Sequence, residues 1–124
     1  MNHFVRMLVI LAALHGHAFA GNRPLLHQPP EMDQNRGNPY DSQPGAARAG
    51  RKLFRRECSM CHGDQAQGTQ FAPALASVTM RQATAGAIFW VLRNGALRHG
   101  MPSFAHLPEP QRWQIVTYLK SLQP

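Results

Sequence analysis

The chain has 124 residues, room for one folded unit and not comfortably for two. Thirteen Lys and Arg against six Asp and Glu leave a net charge of +7, and a hydrophobic content of 44% is that of an ordinary globular protein. No Ser/His/Asp set and no paired carboxylate site stands out, so the composition offers no bond-making catalytic machinery.

Residues 1–20 read as a secretory signal. Arg6 supplies positive charge, Met7 to Leu14 is an unbroken apolar run, and Ala18-Phe19-Ala20 places small residues before a cleavage expected ahead of Gly21. The run falls short of the roughly 20 residues a bilayer requires, so no stable membrane span is expected. The expected destination is the periplasm. Residues 21–44 carry five prolines and neither a helical nor an alternating apolar period. They read as a Pro-rich linker, extended and lying at most on the domain surface. The folded domain is then residues 45–124.

Three helices are expected in that domain. The first runs from about Pro44 to Glu57, with Gly50, Leu53, Phe54 and Glu57 on one face and Arg48, Arg51, Lys52 and Arg55 on the other. Gly50 leaves space for a second helix to cross closely. The next runs from about Thr84, a suitable N-cap, to Asn94, and its near-continuous apolar run from Ile88 to Leu92 predicts burial. Asn94-Gly95 is its stop signal. The last runs from about Glu109 to Leu122. Trp113, Ile115, Val116, Tyr118, Leu119 and Leu122 form its apolar face, and Gln114, Thr117 and Ser121 are expected opposite. No strand pattern is present, so the fold class is all-α. Three helices in about 80 residues make a thin core, and domains of this size usually need a staple.

Both cysteines fall in one pentapeptide, Cys58-Ser59-Met60-Cys61-His62, which matches the C-x-x-C-H pattern of covalent haem attachment. Two thiols three residues apart project to the same side of a helical turn. They can bond the two vinyl groups along one porphyrin edge, and His62 is then held beneath the iron as an axial ligand. A thioredoxin-type redox pair would want a βαβ context, which is missing. A zinc site would want a fourth ligand in regular spacing; His99 or His106 could be conscripted, but there is no second Cys/His cluster. The second axial ligand must come from elsewhere. Met101 in Gly100-Met101-Pro102-Ser103-Phe104 has a soft thioether, a stiffening proline after it and a permissive glycine before it. Met80 competes with it, with His99 and His106 behind.

Residues 45–124 resemble the small mono-haem cytochrome c domain family. The resemblance rests on Gly50 and Phe54, Cys58 to His62 with Gly63, Pro73 and Leu75, Arg93-Asn94-Gly95, Gly100-Met101-Pro102, and Trp113 to Leu122. It implies the cytochrome c fold: three main helices with long loops around one covalent haem c, ligated by His62 and Met101. It further implies that the first and last helices cross, and that the Pro73 carbonyl accepts the other ring N–H of His62 and orients it. The implied function is single-electron transfer without enzymatic turnover. The implied alternative is a cytochrome subunit of a periplasmic dehydrogenase or oxidase complex. From Gly45 onward ten basic residues face three acidic ones, which suits redox partners with an acidic docking surface. Nucleic acid is not an expected partner.

Overall fold

The computed structural model describes residues 29–122. The signal assigned to residues 1–20 and the first part of the linker lie outside the described residues. Six α-helices follow in order: α1 (Glu31–Gln34), α2 (Ala46–Glu57), α3 (Ser59–His62), α4 (Val78–Gln82), α5 (Ala85–Asn94) and α6 (Glu109–Ser121), with a 3₁₀ turn at Leu97–His99 before α6. Among the described residues there is no strand, only an isolated antiparallel bridge between Ala96 and Met101.

The long helices α2, α5 and α6 lie where the apolar patterns place them. In α2 the buried residues are Ala46, Gly50, Leu53 and Phe54, while Arg48, Arg51, Lys52 and Arg55 are exposed. This face packs on α6, and the crossing is close: a Cβ added at Gly50 would lie 1.8 Å from the Gln114 carbonyl oxygen. Phe54 and Tyr118 meet across the crossing with ring centroids 5.3 Å apart. Complete burial of a side chain such as Phe54 stabilises the fold by about 1.5–3 kcal/mol. Helix α5 starts at Thr84, whose hydroxyl accepts the Ala87 N–H at 3.2 Å. Phe89 on α5 stacks on Trp113 of α6 at 4.0 Å and 18°.

The short helix α4 has no periodic signal in the sequence; it forms because Ser77 caps it, accepting the Met80 N–H at 3.2 Å. Lys120 then fastens α4 to α6, its ammonium donating to the carbonyls of Arg81 and Ala83.

Residues 29–44 lie as a strap along α5 and α6. Helix α1 packs on α5. The Arg36 guanidinium sits over the rings of Phe89 and Trp113, 4.7 and 5.3 Å from their centroids, and pairs with Glu109 at 2.9 Å. Asn38 donates to Thr117 Oγ1 at 2.8 Å and to the Trp113 carbonyl at 3.4 Å. This corrects one sequence expectation. Thr117, assigned to the polar side of α6, is buried, because the strap covers that part of the helix.

Candidate haem-attachment site

Helix α2 leads directly into the Cys-His turn. The Cys58 N–H still donates to Phe54 O at 2.8 Å, and the chain re-forms a single turn, α3, over Ser59–His62. Cys58, Cys61 and His62 thus share one turn. Cys58 is buried in the core, Cys61 is exposed, and the two are not joined in a disulfide. Met60 between them is 87% exposed, which excludes it as a ligand reaching the core side.

Burial pushes the Cys58 thiol up to about 12, helped by the negative charge of Glu57 and by Cys61. A thiol–disulfide enzyme needs an accessible nucleophilic cysteine with a lowered value. The first cysteine of this pair is the buried one and is shifted the opposite way, so the geometry opposes that reading. Zinc fares no better: among the described residues no three His, Cys, Asp or Glu side chains gather into a metal-binding group.

The His62 ring is fixed by the loop that follows it. Nδ1 lies 2.9 Å from the carbonyl oxygen of Pro73. A carbonyl only accepts, so Nδ1 carries a proton, and the neutral ring then keeps the Nε2 lone pair for a metal. The loop itself is built to deliver that carbonyl. Gly68 N–H donates to His62 O at 2.8 Å, and Leu75 and Ala76 both donate to Ala66 O at 2.8 and 3.0 Å. Thr69, which carried no signal in the sequence, ties the loop to the attachment turn. Its hydroxyl donates to Cys61 O at 2.5 Å and accepts the Phe71 N–H at 3.0 Å.

Met101 comes from a different loop, between α5 and α6, and is half-buried against the same core cluster that contains Cys58. Its backbone exchanges two hydrogen bonds with Ala96, at 2.9 and 3.2 Å. Gly95 makes this hairpin possible. Its φ is +73°, and a Cβ there would come within 2.7 Å of the Pro102 carbonyl carbon and the Ser103 nitrogen. Beyond Met101, Ser103 Oγ donates to Arg93 O at 2.6 Å and Phe104 N–H donates to Leu92 O at 2.8 Å. A recess of about 350 Å³ lined by Trp90 and residues 94–99 flanks this hairpin. The larger recess, about 460 Å³, lies between the N-terminus of α2 and the end of α6 and contains no candidate ligand.

Of the competing ligands, Met80 is buried in the core, and His99 and His106 are exposed. The donor set fits haem c: two cysteines and a histidine with a free Nε2 on one turn, plus a half-buried thioether on a separate pinned loop. Arg112, unremarked in the sequence, is buried beside this loop; its only signal was a cation placed next to Trp113 in an apolar helix.

Residues 45–119 match the family model described as cytochrome c oxidase, cbb3-type, subunit III. The chain is 36% identical over 90 residues to a cytochrome c-553-like protein of Synechocystis sp., covering 68% of this chain and 81% of that protein. Among solved structures, cytochrome cL of the marine methylotrophic bacterium Methylophaga aminisulfidivorans superposes with a TM-score of 0.59 at 28% identity, over 68% of this chain and 57% of that one. Cytochrome cL of Hyphomicrobium denitrificans gives 0.58 at 19% identity, over 77% of this chain and 64% of its own length, a likeness that concerns the fold alone. The chain therefore spans less than two thirds of either cytochrome cL, and its helices and loops have the cytochrome c fold.

Proposed function

The chain belongs to the cytochrome c family, through the group described as cytochrome c oxidase, cbb3-type, subunit III, and on that premise we propose that it is an exported single-electron carrier with His/Met-ligated haem c. Family membership implies the covalent haem, which supplies a one-electron iron couple when bound. The chain's own residues hold and tune that group. In this reading Cys58 and Cys61 would hold the haem through thioether bonds, and His62 would hold its iron through Nε2. The Pro73 carbonyl keeps the imidazole protonated on Nδ1 and strengthens it as a donor. Met101 would be the second residue to hold the iron, and its soft sulfur would favour the reduced metal and so a higher potential. Were His62 and Met101 both to hold the iron, they would leave it a carrier of electrons without an open position for a substrate.

The observation that carries this reading is the 2.9 Å contact of His62 Nδ1 with Pro73 O on the same turn as the two thiols. Export is supported by the apolar run and Ala-Phe-Ala sequence of residues 1–20; no helix among the described residues is long and apolar enough to cross a membrane. Arg48, Arg51, Lys52 and Arg55 on the exposed face of α2 support docking to an acidic partner.

The test is protein made in a host with haem-attachment machinery. The expected product is red, carries the mass of one haem, lacks titratable thiols and shows the red sulfur-to-iron charge-transfer band when oxidised. Met101→Ala is expected to lose that band. Its persistence would move the ligand to Met80 or a histidine, and carbon monoxide binding by the native protein would replace the carrier with a sensor or peroxidase.

The second reading, a cytochrome subunit of a periplasmic dehydrogenase or oxidase complex, is favoured by the family description, which names an oxidase subunit. Co-elution of the native protein with a large subunit on size exclusion would select it.

A further inference from the structure

The loop that follows Met101 is held from two sides, and the two sides differ in kind. Toward α5 it is held by Ser103 Oγ to Arg93 O and Phe104 N–H to Leu92 O, while the Ala96–Met101 bridge ties the loop to itself. Toward α6 the hydrogen bond is made by one long side chain. Arg112 Nη1 donates to the Ala105 carbonyl oxygen at 3.3 Å.

Arg112 is an expensive residue for this position. It is only 7% exposed, and its Nε is buried without a hydrogen-bond partner. It lies in the first turns of α6, where the helix dipole disfavours a cation. The groups facing it offset part of this. The guanidinium lies over the Phe89 ring, 5.0 Å from its centroid, and Glu109 stands one turn away on α6, its carboxylate also paired with Arg36. If the position needed only apolar volume, Leu or Met would fill it without an orphaned donor. A planar fork is the side chain that can lie flat on Phe89 and still reach a carbonyl across the gap.

We propose that Arg112 is a positioning residue for the Met101 iron ligand: through Ala105 O it clamps the far end of the Met101 loop onto α6. The inference rests on the reading of Met101 as axial ligand. The clamp acts on the loop at Ala105, and not through a hydrogen bond to Met101 or to the residues of α3. Its loss therefore raises the population in which Met101 has swung away, and leaves His62 as it was.

The probe is imidazole, titrated against the oxidised holoprotein. It can bind iron only by displacing the methionine, so its affinity measures how firmly the loop holds Met101. Three variants are compared with the native protein: Arg112→Met, which keeps volume and removes the donors; Arg112→Lys, which keeps a charge and one donor; and Asn38→Ala, which loses strap bonds to α6 at a distance from the loop. Arg112→Met is expected to bind imidazole about tenfold more tightly, within the range typical of losing an outer-shell support, with Arg112→Lys in between. Asn38→Ala is expected to melt earlier with its imidazole affinity within about twofold of native, since its lost contacts do not share partners with the loop. Native-like imidazole affinity in Arg112→Met, together with a lowered melting temperature, would overturn the proposal and leave Arg112 a packing residue. Should Arg112→Met fail to fold, native-like affinity in Arg112→Lys overturns it equally. A native protein without the red band, or a Met101→Ala variant that keeps it, would instead overturn the ligand reading on which the proposal stands.

Discussion

His62 and Pro73, eleven residues apart, are joined by a 2.9 Å contact between ring Nδ1 and the proline carbonyl oxygen. An imidazole that donates from Nδ1 becomes a stronger donor through Nε2, which favours the oxidised metal and holds the potential down. Pro73→Gly keeps a carbonyl at this position and frees its orientation. The expected result is a reduction potential raised on the order of tens of millivolts, with the His/Met spectrum retained. An unchanged potential in a redox titration would mean that Leu75, Ala76 and their bonds to Ala66 fix the carbonyl without help from the ring of Pro73.

Gly50 and Gln114 set the α2–α6 crossing. Replacing a helical glycine by alanine gains up to about 1 kcal/mol of helix propensity. Here the added methyl would lie 1.8 Å from Gln114 O and 2.9 Å from the Tyr118 Cβ, with backbone that cannot swing aside. Overpacking of this kind costs about 1–3 kcal/mol and sometimes more, so steric cost wins. Gly50→Ala is expected to lower stability by at least about 1 kcal/mol in denaturant unfolding. A stabilised variant would show that the two helices can separate freely.

What could be read in advance divides along the range of the interactions. Helices α2, α5 and α6 were legible because a cap, a period and a stop each lie within a few residues, as with Thr84, the Ile88–Leu92 run and Gly95. The short helices were not. Four or five residues show no period, and α4 depends on one Ser77 hydroxyl and on Lys120 reaching across from α6. The thiols and His62 could be placed on one turn by spacing alone. The acceptor for Nδ1 could be named only through the family resemblance, because nothing local distinguishes Pro73 from nine other prolines. The burial of Thr117 and Arg112 was hidden for a different reason. Both lie on α6 at positions that periodicity assigns to solvent or leaves undecided, and both are covered by residues distant in sequence or by a loop, Asn38 in one case and Ala105 in the other.

The strap is expected to behave as part of the domain. Asn38 reaches Thr117 Oγ1 and Trp113 O, and Arg36 covers the Phe89–Trp113 stack. Asn38→Ala removes the hydrogen bond to a buried hydroxyl, although Thr117 keeps its own bond to Trp113 O at 3.0 Å. A loss of about 1 kcal/mol is expected, which lowers the melting temperature by roughly 4–8 °C in a domain of this size. Identical melting of variant and native protein would return residues 29–44 to the status of a loose linker.

Glu109 gives the strap a pH dependence. Its carboxylate accepts the Trp113 indole N–H at 3.3 Å and the Arg36 guanidinium at 2.9 Å. The indole hydrogen bond lowers its pKa below the ordinary 4.5; burial pushes the other way, and the charges of Arg36 and Arg112 with the Arg36 hydrogen bond add to the lowering. A carboxyl depressed in the folded state stabilises above its unfolded value, and the gain disappears as pH falls through the folded value. The native protein is therefore expected to exceed Glu109→Gln in stability by a constant margin above about pH 4.5, and the two curves should converge below it. The group is largely exposed, so the margin is about 0.5 kcal/mol or less. Curves that stay parallel into acid would mean that the neutral amide's lost bonds, and not the charge, account for the difference.

The exposed side of α2 places Arg48, Arg51, Lys52 and Arg55 in one stripe at helical spacing, ending next to the attachment turn. Among the described residues the ion pairs are Arg36–Glu109 and Arg56–Glu57, so none of these four cations is neutralised. If electrons cross near the Cys-His turn, the stripe sets the local potential felt by a charged reagent. Small redox reagents test this without a known partner. In the double variant Arg51→Glu, Lys52→Glu, oxidation by anionic hexacyanoferrate(III) is expected to slow by roughly tenfold, and oxidation by a cationic cobalt complex to accelerate. Both differences should vanish near 1 M salt, where the screening length is about 3 Å. Rates that shift in the same direction for both reagents would trace the effect to the reduction potential. Rates that do not shift would place the electron-transfer edge beyond the reach of α2, and the stripe would then be a solvated face with no part in docking.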